Sequence, residues 1–169
     1  MEAPSRQNPI SFGPSIDRVL AFFKVDFTPN PVQPSWARVA VATLVSVVGS
    51  LAADALLVAL GTKVFPSTTG YAHFEFGSYA KLTVIGVIIA CVGWPVVTRI
   101  SSAPKWLFLR MAVVVTLVLF LPDLWIYVGG APAKAVLVLL AMHVAIAVVT
   151  YTALVRIAPV GIVKAVRSK

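Results

Sequence analysis

Three ionisable side chains lie deep in apolar stretches of this chain. Asp54 sits in LAADALLVAL, Asp123 in FLPDLW and His143 in LLAMHVAIAVV. A histidine beside a carboxylate can shuttle a proton, and the three together have the ligand types for a cation or metal. No spacing makes them a recognised motif, so no metal site is assigned. Bis-histidine haem is excluded because only one imidazole lies within these stretches. No nucleophile, phosphate-loop or zinc-protease pattern occurs. No catalytic residue and no cofactor is therefore expected, and the chain is not read as an enzyme. The lone Cys91, in VIGVIIACVG, can form neither an intrachain disulfide nor a CxxC pair and reads as a small buried residue.

The elements that carry these residues are long and apolar. Of 169 residues 59% are hydrophobic and 12% charged, with a mean hydropathy of +0.94. Soluble domains are about a quarter charged, so the chain reads as a membrane protein. A bilayer core takes about 20 apolar residues of helix, and four segments qualify: 37–60, 79–98, 107–128 and 135–157. No charged face recurs along them at helical spacing, as surface helices of a soluble bundle would show. The expected fold is all-α: an antiparallel bundle of four transmembrane helices over 36–158. A proline-rich segment (1–35) precedes it and a basic tail (159–169) follows. The opening MEAPSRQNPISFGPS has no signal-peptide pattern, so the first span is expected to be retained.

Charge sets the direction. Arg6, Arg18, Lys24, Arg38, Arg99, Lys105, Arg110, Arg156, Lys164, Arg167 and Lys169 fall on one side, and Lys63, Lys81 and Lys134 on the other. The positive-inside rule places both termini in the cytoplasm, in a multi-pass plasma-membrane protein. Topology thus accounts for the net charge of +8, and no nucleic-acid partner is implied. Trp36, Trp94, Trp106 and Tyr151 are expected near the inner interface, and Tyr79, Trp125 and Tyr127 near the outer one.

In this orientation Asp54, Asp123 and His143 lie about 9, 8 and 13 Å below the outer ends of their helices. Intramembrane ionisable groups normally face the bundle interior and pair. Asp54 is expected to face His143 or Asp123, as a functional cluster or simply as an interhelical hydrogen bond. Asp123, close to the interface, could instead cap a helix end or meet water. His73 and Glu75, in YAHFEFGSYAK, could join the cluster but read as surface-loop residues. Ala42, Ser46, Ser50 and Asp54 recur at i,i+4 with Gly49 and Ala53 beside them, a stripe that admits a neighbouring helix. Gly86, Ala90 and Gly93 form a second such surface, and Ala141, Ala145 and Ala147 a third. Pro122 and Pro95 each remove a backbone donor, and a bend is expected at Pro122.

Before the first span, SIDRVLAFFKVDF predicts a short amphipathic helix near 15–25. Ser15 is its candidate cap, and Ile16, Val19, Leu20, Phe23 and Phe27 form its apolar face. Such a helix would lie on the inner leaflet or dock on a partner; as a frayed tail it would only tether. The tail VKAVRSK would rest on anionic headgroups.

SLAADALLVALG, FLPDLW and LLAMHVAIAVV together resemble an uncharacterised family of four-helix membrane proteins from actinobacteria, over about residues 36–157. Met142-His143 matches the family's last span. Its first-span polar position is more often Asn, where this chain has Asp54. The resemblance implies the four-helix fold and an actinobacterial inner membrane, and no activity. The expected function is a non-catalytic accessory subunit of a larger inner-membrane complex, or of a homo-oligomer. The alternative is a small transport or ligand-binding protein whose Asp54–Asp123–His143 cluster takes a cation, a proton or a lipid headgroup.

Overall fold

The structure, a computed structural model, describes residues 12–161. The basic tail beyond 161, and Arg6 with the first two prolines, lie outside the described residues. Among the described residues five α-helices occur: α1 (Pro14–Phe23), α2 (Trp36–Val64), α3 (Phe76–Ile100), α4 (Pro104–Val128) and α5 (Ala133–Ile157). The last four are long and apolar enough to cross a membrane. Two single 3-10 turns, Pro66–Thr68 and Ala72–Phe74, join α2 to α3. No strand occurs among the described residues.

The helix limits follow local chemistry. The Ser35 hydroxyl accepts a hydrogen bond from the Arg38 amide and caps α2. Pro104 occupies the first turn of α4, where a missing N–H leaves nothing unpaired. Pro95 and Pro122 lie inside continuous helices. The carbonyl of Pro95 accepts from both Thr98 Oγ1 and Arg99 Nη1.

The most extensive pairing is between α2 and α5; α3 then leans on α2 and α4 on α5, while α3 and α4 meet only slightly. Glycines set the α2–α5 approach. A Cβ at Gly61 would fall 2.7 Å from Val138 Cγ2, and one at Gly49 3.0 Å from Val149 Cγ1. The stripe Ala42, Ser46, Ser50 and Asp54 is fully buried. Gly86, by contrast, meets nothing within 4 Å of an added Cβ, and neither does Gly93. The second small-residue surface therefore leaves open space rather than receiving a helix.

At the end carrying the α3–α4 turn, Trp94 is fully buried, and its Nε1 donates to the Ala158 carbonyl at 2.9 Å. Phe108 meets it edge-on and stacks on Tyr151. Trp94 is thus an interior residue, as is the buried Tyr79, and neither belongs to an interfacial belt. Trp36, Trp106, Trp125 and Tyr127 are exposed. At the opposite end Phe74, Tyr79, Ala135, Leu139 and Met142 form a second core.

The amphipathic helix exists, with altered limits. Pro14 occupies its first turn, so Ser15 lies inside it and Gly13 precedes it; the Asp17 carboxylate accepts from the Phe12 amide. Lys24 turns left-handed and ends it, which puts Phe27 beyond the helix. Ile16 and Val19 are exposed together with Phe22, while Phe23 packs against the bundle core.

Residues 24–33, of which 24–27 are expected from the sequence to extend the amphipathic segment and the rest read as proline-rich, form a strap across the α3–α4 turn. The amides of Asp26 and Phe27 donate to the Ile100 carbonyl, and that of Asn30 to the Thr98 carbonyl. Gln33 Nε2 donates to the Thr98 carbonyl, and Gln33 Oε1 lies 2.7 Å from Thr98 Oγ1, sharing that hydroxyl's single hydrogen with the Pro95 carbonyl. The Asp26 carboxylate accepts from the Ser102 amide and hydroxyl and from the Thr28 amide. Burial pushes the Asp26 carboxyl up, but these hydrogen bonds hold it below its ordinary value of 3.8.

Two expectations follow for the protein in detergent. Gly61→Ala drives a methyl into Val138 and should cost about 1–3 kcal/mol of unfolding free energy, whereas Gly86→Ala should cost nothing; equal losses would contradict the seam. Asp26 is ionised more readily in the folded than in the unfolded chain. Its contribution is complete above the ordinary carboxylate range and is lost as pH falls through the lower folded value. Asp26→Ala should cost about 1 kcal/mol at neutral pH. Denaturation series down to pH 3 should show the gap from wild type closing.

Candidate functional site

Because α3 and α4 lean on different partners, they diverge and leave a cleft of about 880 Å³. Its walls are α3 and α4 and its floor is α5. The lining runs along α3 from Tyr79 to Val97, about 27 Å of helix at 1.5 Å per residue. Gly86, Ala90 and Gly93 line one wall, and Met111, Ala112 and Val115 the other. The polar residues Tyr79, Thr83, Asp123 and His143 gather at the end bearing the α2–α3 and α4–α5 connections, with His73 at the rim.

His143 lies one helical turn beyond Leu139 on α5. Its Nδ1 is 3.0 Å from the Leu139 carbonyl and 3.1 Å from Asp123 Oδ2. Both neighbours offer oxygen acceptors, so Nδ1 carries a hydrogen. The N–H direction follows the carbonyl, and Asp123 Oδ2, though close, receives no aligned hydrogen bond. In a neutral ring Nε2 then keeps its lone pair, and it has no hydrogen-bond partner among the described residues. Phe120 meets the imidazole edge-on at 6.3 Å between centroids. Tyr71, in the α2–α3 connection, has its hydroxyl pushed above its ordinary value by burial and by the nearby Asp123 charge.

Asp54 makes a different contact. Thr83 Oγ1 donates to its Oδ2 at 2.7 Å, while Oδ1 has no partner. The sequence expectation of a direct pair with His143 or Asp123 is replaced by this bond to α3. Asp54 is fully buried and does not line the cleft. Thr83 does, so it stands between the carboxylate and the open space. His143 and Asp123 are therefore adjacent, with Asp54 behind Thr83. Glu75 is exposed at the start of α3, outside the cleft. Among the described residues no three His, Cys, Asp or Glu side chains are grouped to hold a metal ion.

Thr83 was not legible beforehand. Threonines in apolar helices commonly bond the carbonyl one turn back, as Thr43, Thr62 and Thr116 do here. Nothing in the sequence separates Thr83 from these. Only the packing of α3 on α2 puts its hydroxyl on Asp54.

Thr83→Val should cost about 1–3 kcal/mol, since it strips a buried carboxylate oxygen of its donor. In an Asp54→Leu background, where no carboxylate remains to be orphaned, the same change should cost well under 1 kcal/mol. Equal losses in the two backgrounds, measured by reversible unfolding in detergent, would show that the bond is immaterial to stability.

No curated protein and no solved structure matches this chain. A sequence model described as a family of unknown function, DUF6069, matches residues 30–159. The match takes in the end of the strap and all four long helices, and with them Asp54, Thr83, Asp123 and His143; α1 lies outside it. The four-helix chain belongs to the family of unknown function DUF6069.

Proposed function

We propose that this membrane protein binds an amphiphile from the bilayer in the cleft between α3 and α4, without catalysing a reaction on it. The observation that carries the reading is the cleft itself: about 880 Å³, apolar along its length, with Asp123 and His143 at one end. That size lies in the upper range of small-molecule sites, which are mostly apolar with a few placed polar groups. A purely structural Asp123–His143 bond would not need a cleft beside it. In the orientation set by the eleven-to-three distribution of Lys and Arg, the polar end lies in the outer half of a plasma membrane and both termini are cytoplasmic.

A second reading, an accessory subunit of a larger complex, has its own support. Ile16, Val19 and Phe22 are exposed on α1, which sits beside the spans rather than within them. This face would meet a partner protein or the headgroup layer, where Arg18 and Lys24 favour anionic lipid.

Gly86→Leu separates the two. A Cβ at Gly86 meets nothing within 4 Å, so the variant should fold while the leucine obstructs the middle of the cleft. Lipid retained through purification, counted by native mass spectrometry, should fall from about one per chain toward none. Unchanged lipid retention would reject the cleft as the binding site. The accessory reading instead predicts that Ile16→Ser with Phe22→Ser abolishes co-purification of a stoichiometric membrane partner. Deleting residues 1–30 would not test this, because it also removes part of the strap.

A further inference from the structure

We infer that the polar end of the cleft recognises an ammonium group, and that the amphiphile is a bilayer aminolipid. The inference deepens the binding reading and rests on it.

The chemistry at that end is dominated by acceptors. No Lys or Arg lines the cleft. The hydrogen on His143 Nδ1 is committed to the Leu139 carbonyl, so in the neutral ring Nε2 is left as an acceptor. Asp123 is nine-tenths buried, lines the cleft, and has an oxygen that receives no aligned hydrogen bond. The Thr83 hydroxyl hydrogen is spent on Asp54, whose own Oδ1 is unpartnered. The cleft's polar end thus presents one carboxyl group, an imidazole lone pair and a threonine oxygen, and no Lys or Arg.

An anionic headgroup placed there would find no Lys or Arg and would face the Asp123 carboxyl group. A neutral polyol would satisfy some acceptors but neutralise nothing. A primary ammonium supplies three donors and a positive charge, enough for Asp123 and Nε2 together. Charge-assisted bonds of this kind are about twice as strong as neutral ones. The cleft's length fixes the rest of the ligand. Some 27 Å of largely apolar wall exceeds one leaflet's share of a hydrocarbon core about 30 Å thick, so a full acyl chain fits beside the headgroup. The hydroxyls of Ser78 and Tyr79, at the same end, are the donors nearest to hand for the lipid's phosphate. The source is the bilayer, because the walls carry exposed side chains of the spans themselves, such as Leu82, Ile85 and Val115.

The test uses the full chain in a neutral maltoside detergent with three probes of one acyl chain: oleoyl lysophosphatidylethanolamine, oleoyl lysophosphatidylglycerol and monooleoylglycerol. Binding is read by native mass spectrometry and by the shift in thermal midpoint. The ethanolamine lipid should bind one per chain, at least about tenfold tighter than either of the others. Asp123→Asn should bring it to the level of monooleoylglycerol bound by the same variant. Equal binding of the glycerol lipids and the ethanolamine lipid would overturn the ammonium assignment and leave the cleft reading intact. Failure of all three to bind would overturn both. The wild-type comparison decides the matter by itself should the Asn variant not fold.

Discussion

The close approach of α2 and α5 is the contact on which the rest of the bundle hangs. In a bilayer the lipid is as apolar as the helices, so association depends on packing and on buried polar contacts rather than on escape from water. Gly49 and Gly61 bring α2 so near α5 that a single methyl would collide with Val149 or Val138. Ala42, Ser46, Ser50 and Asp54 on α2 are fully buried, with Asp54 held by Thr83 of α3. α3 then leans chiefly on α2 and α4 on α5, and the two scarcely meet. The cleft is the geometric remainder of that arrangement.

Polarity is distributed accordingly. Asp54, on the inner face of α2, is closed off from the cleft and held by Thr83. Asp123 and His143 come from α4 and α5, whose junction forms one side of the cleft floor. Asp123 lines the cleft and no Lys or Arg does, so its polar end lacks a fixed cation.

The other end of the molecule is closed by backbone. The strap ties the segment before α2 to the α3–α4 turn through carbonyls of Thr98 and Ile100 and through Ser101 and Ser102. The C-terminal turn of α3 has carbonyls that cannot be satisfied within the helix, and the strap supplies donors to those of Thr98 and Ile100. Prolines at 29, 31 and 34 keep the strap extended, while Asp26 and Asn30 turn it through side-chain bonds to the amides two residues on.

Much of this was written in the sequence. Uninterrupted apolar length gave four spans, proline and glycine punctuation gave their approximate ends, and periodicity gave α1. The i,i+4 stripe picked out the face of α2 that is buried, because small side chains at helical spacing have a local signature. The three deep ionisable residues stood out because charge is rare in such segments. Which partners they take was not local. Asp54 meets Thr83 rather than His143 because α3, not α4, leans on α2, and the order of helices around a bundle is not encoded in any one of them. Likewise Gly86 and Gly93 look like a packing surface by spacing, yet the divergence of α3 from α4 makes them the wall of a cleft. The strap escaped notice for the same reason, since its bonds join residues some seventy positions apart. Sequence determined what could enter the membrane and which faces were small or polar; tertiary structure alone decided which faces met and where space was left between them.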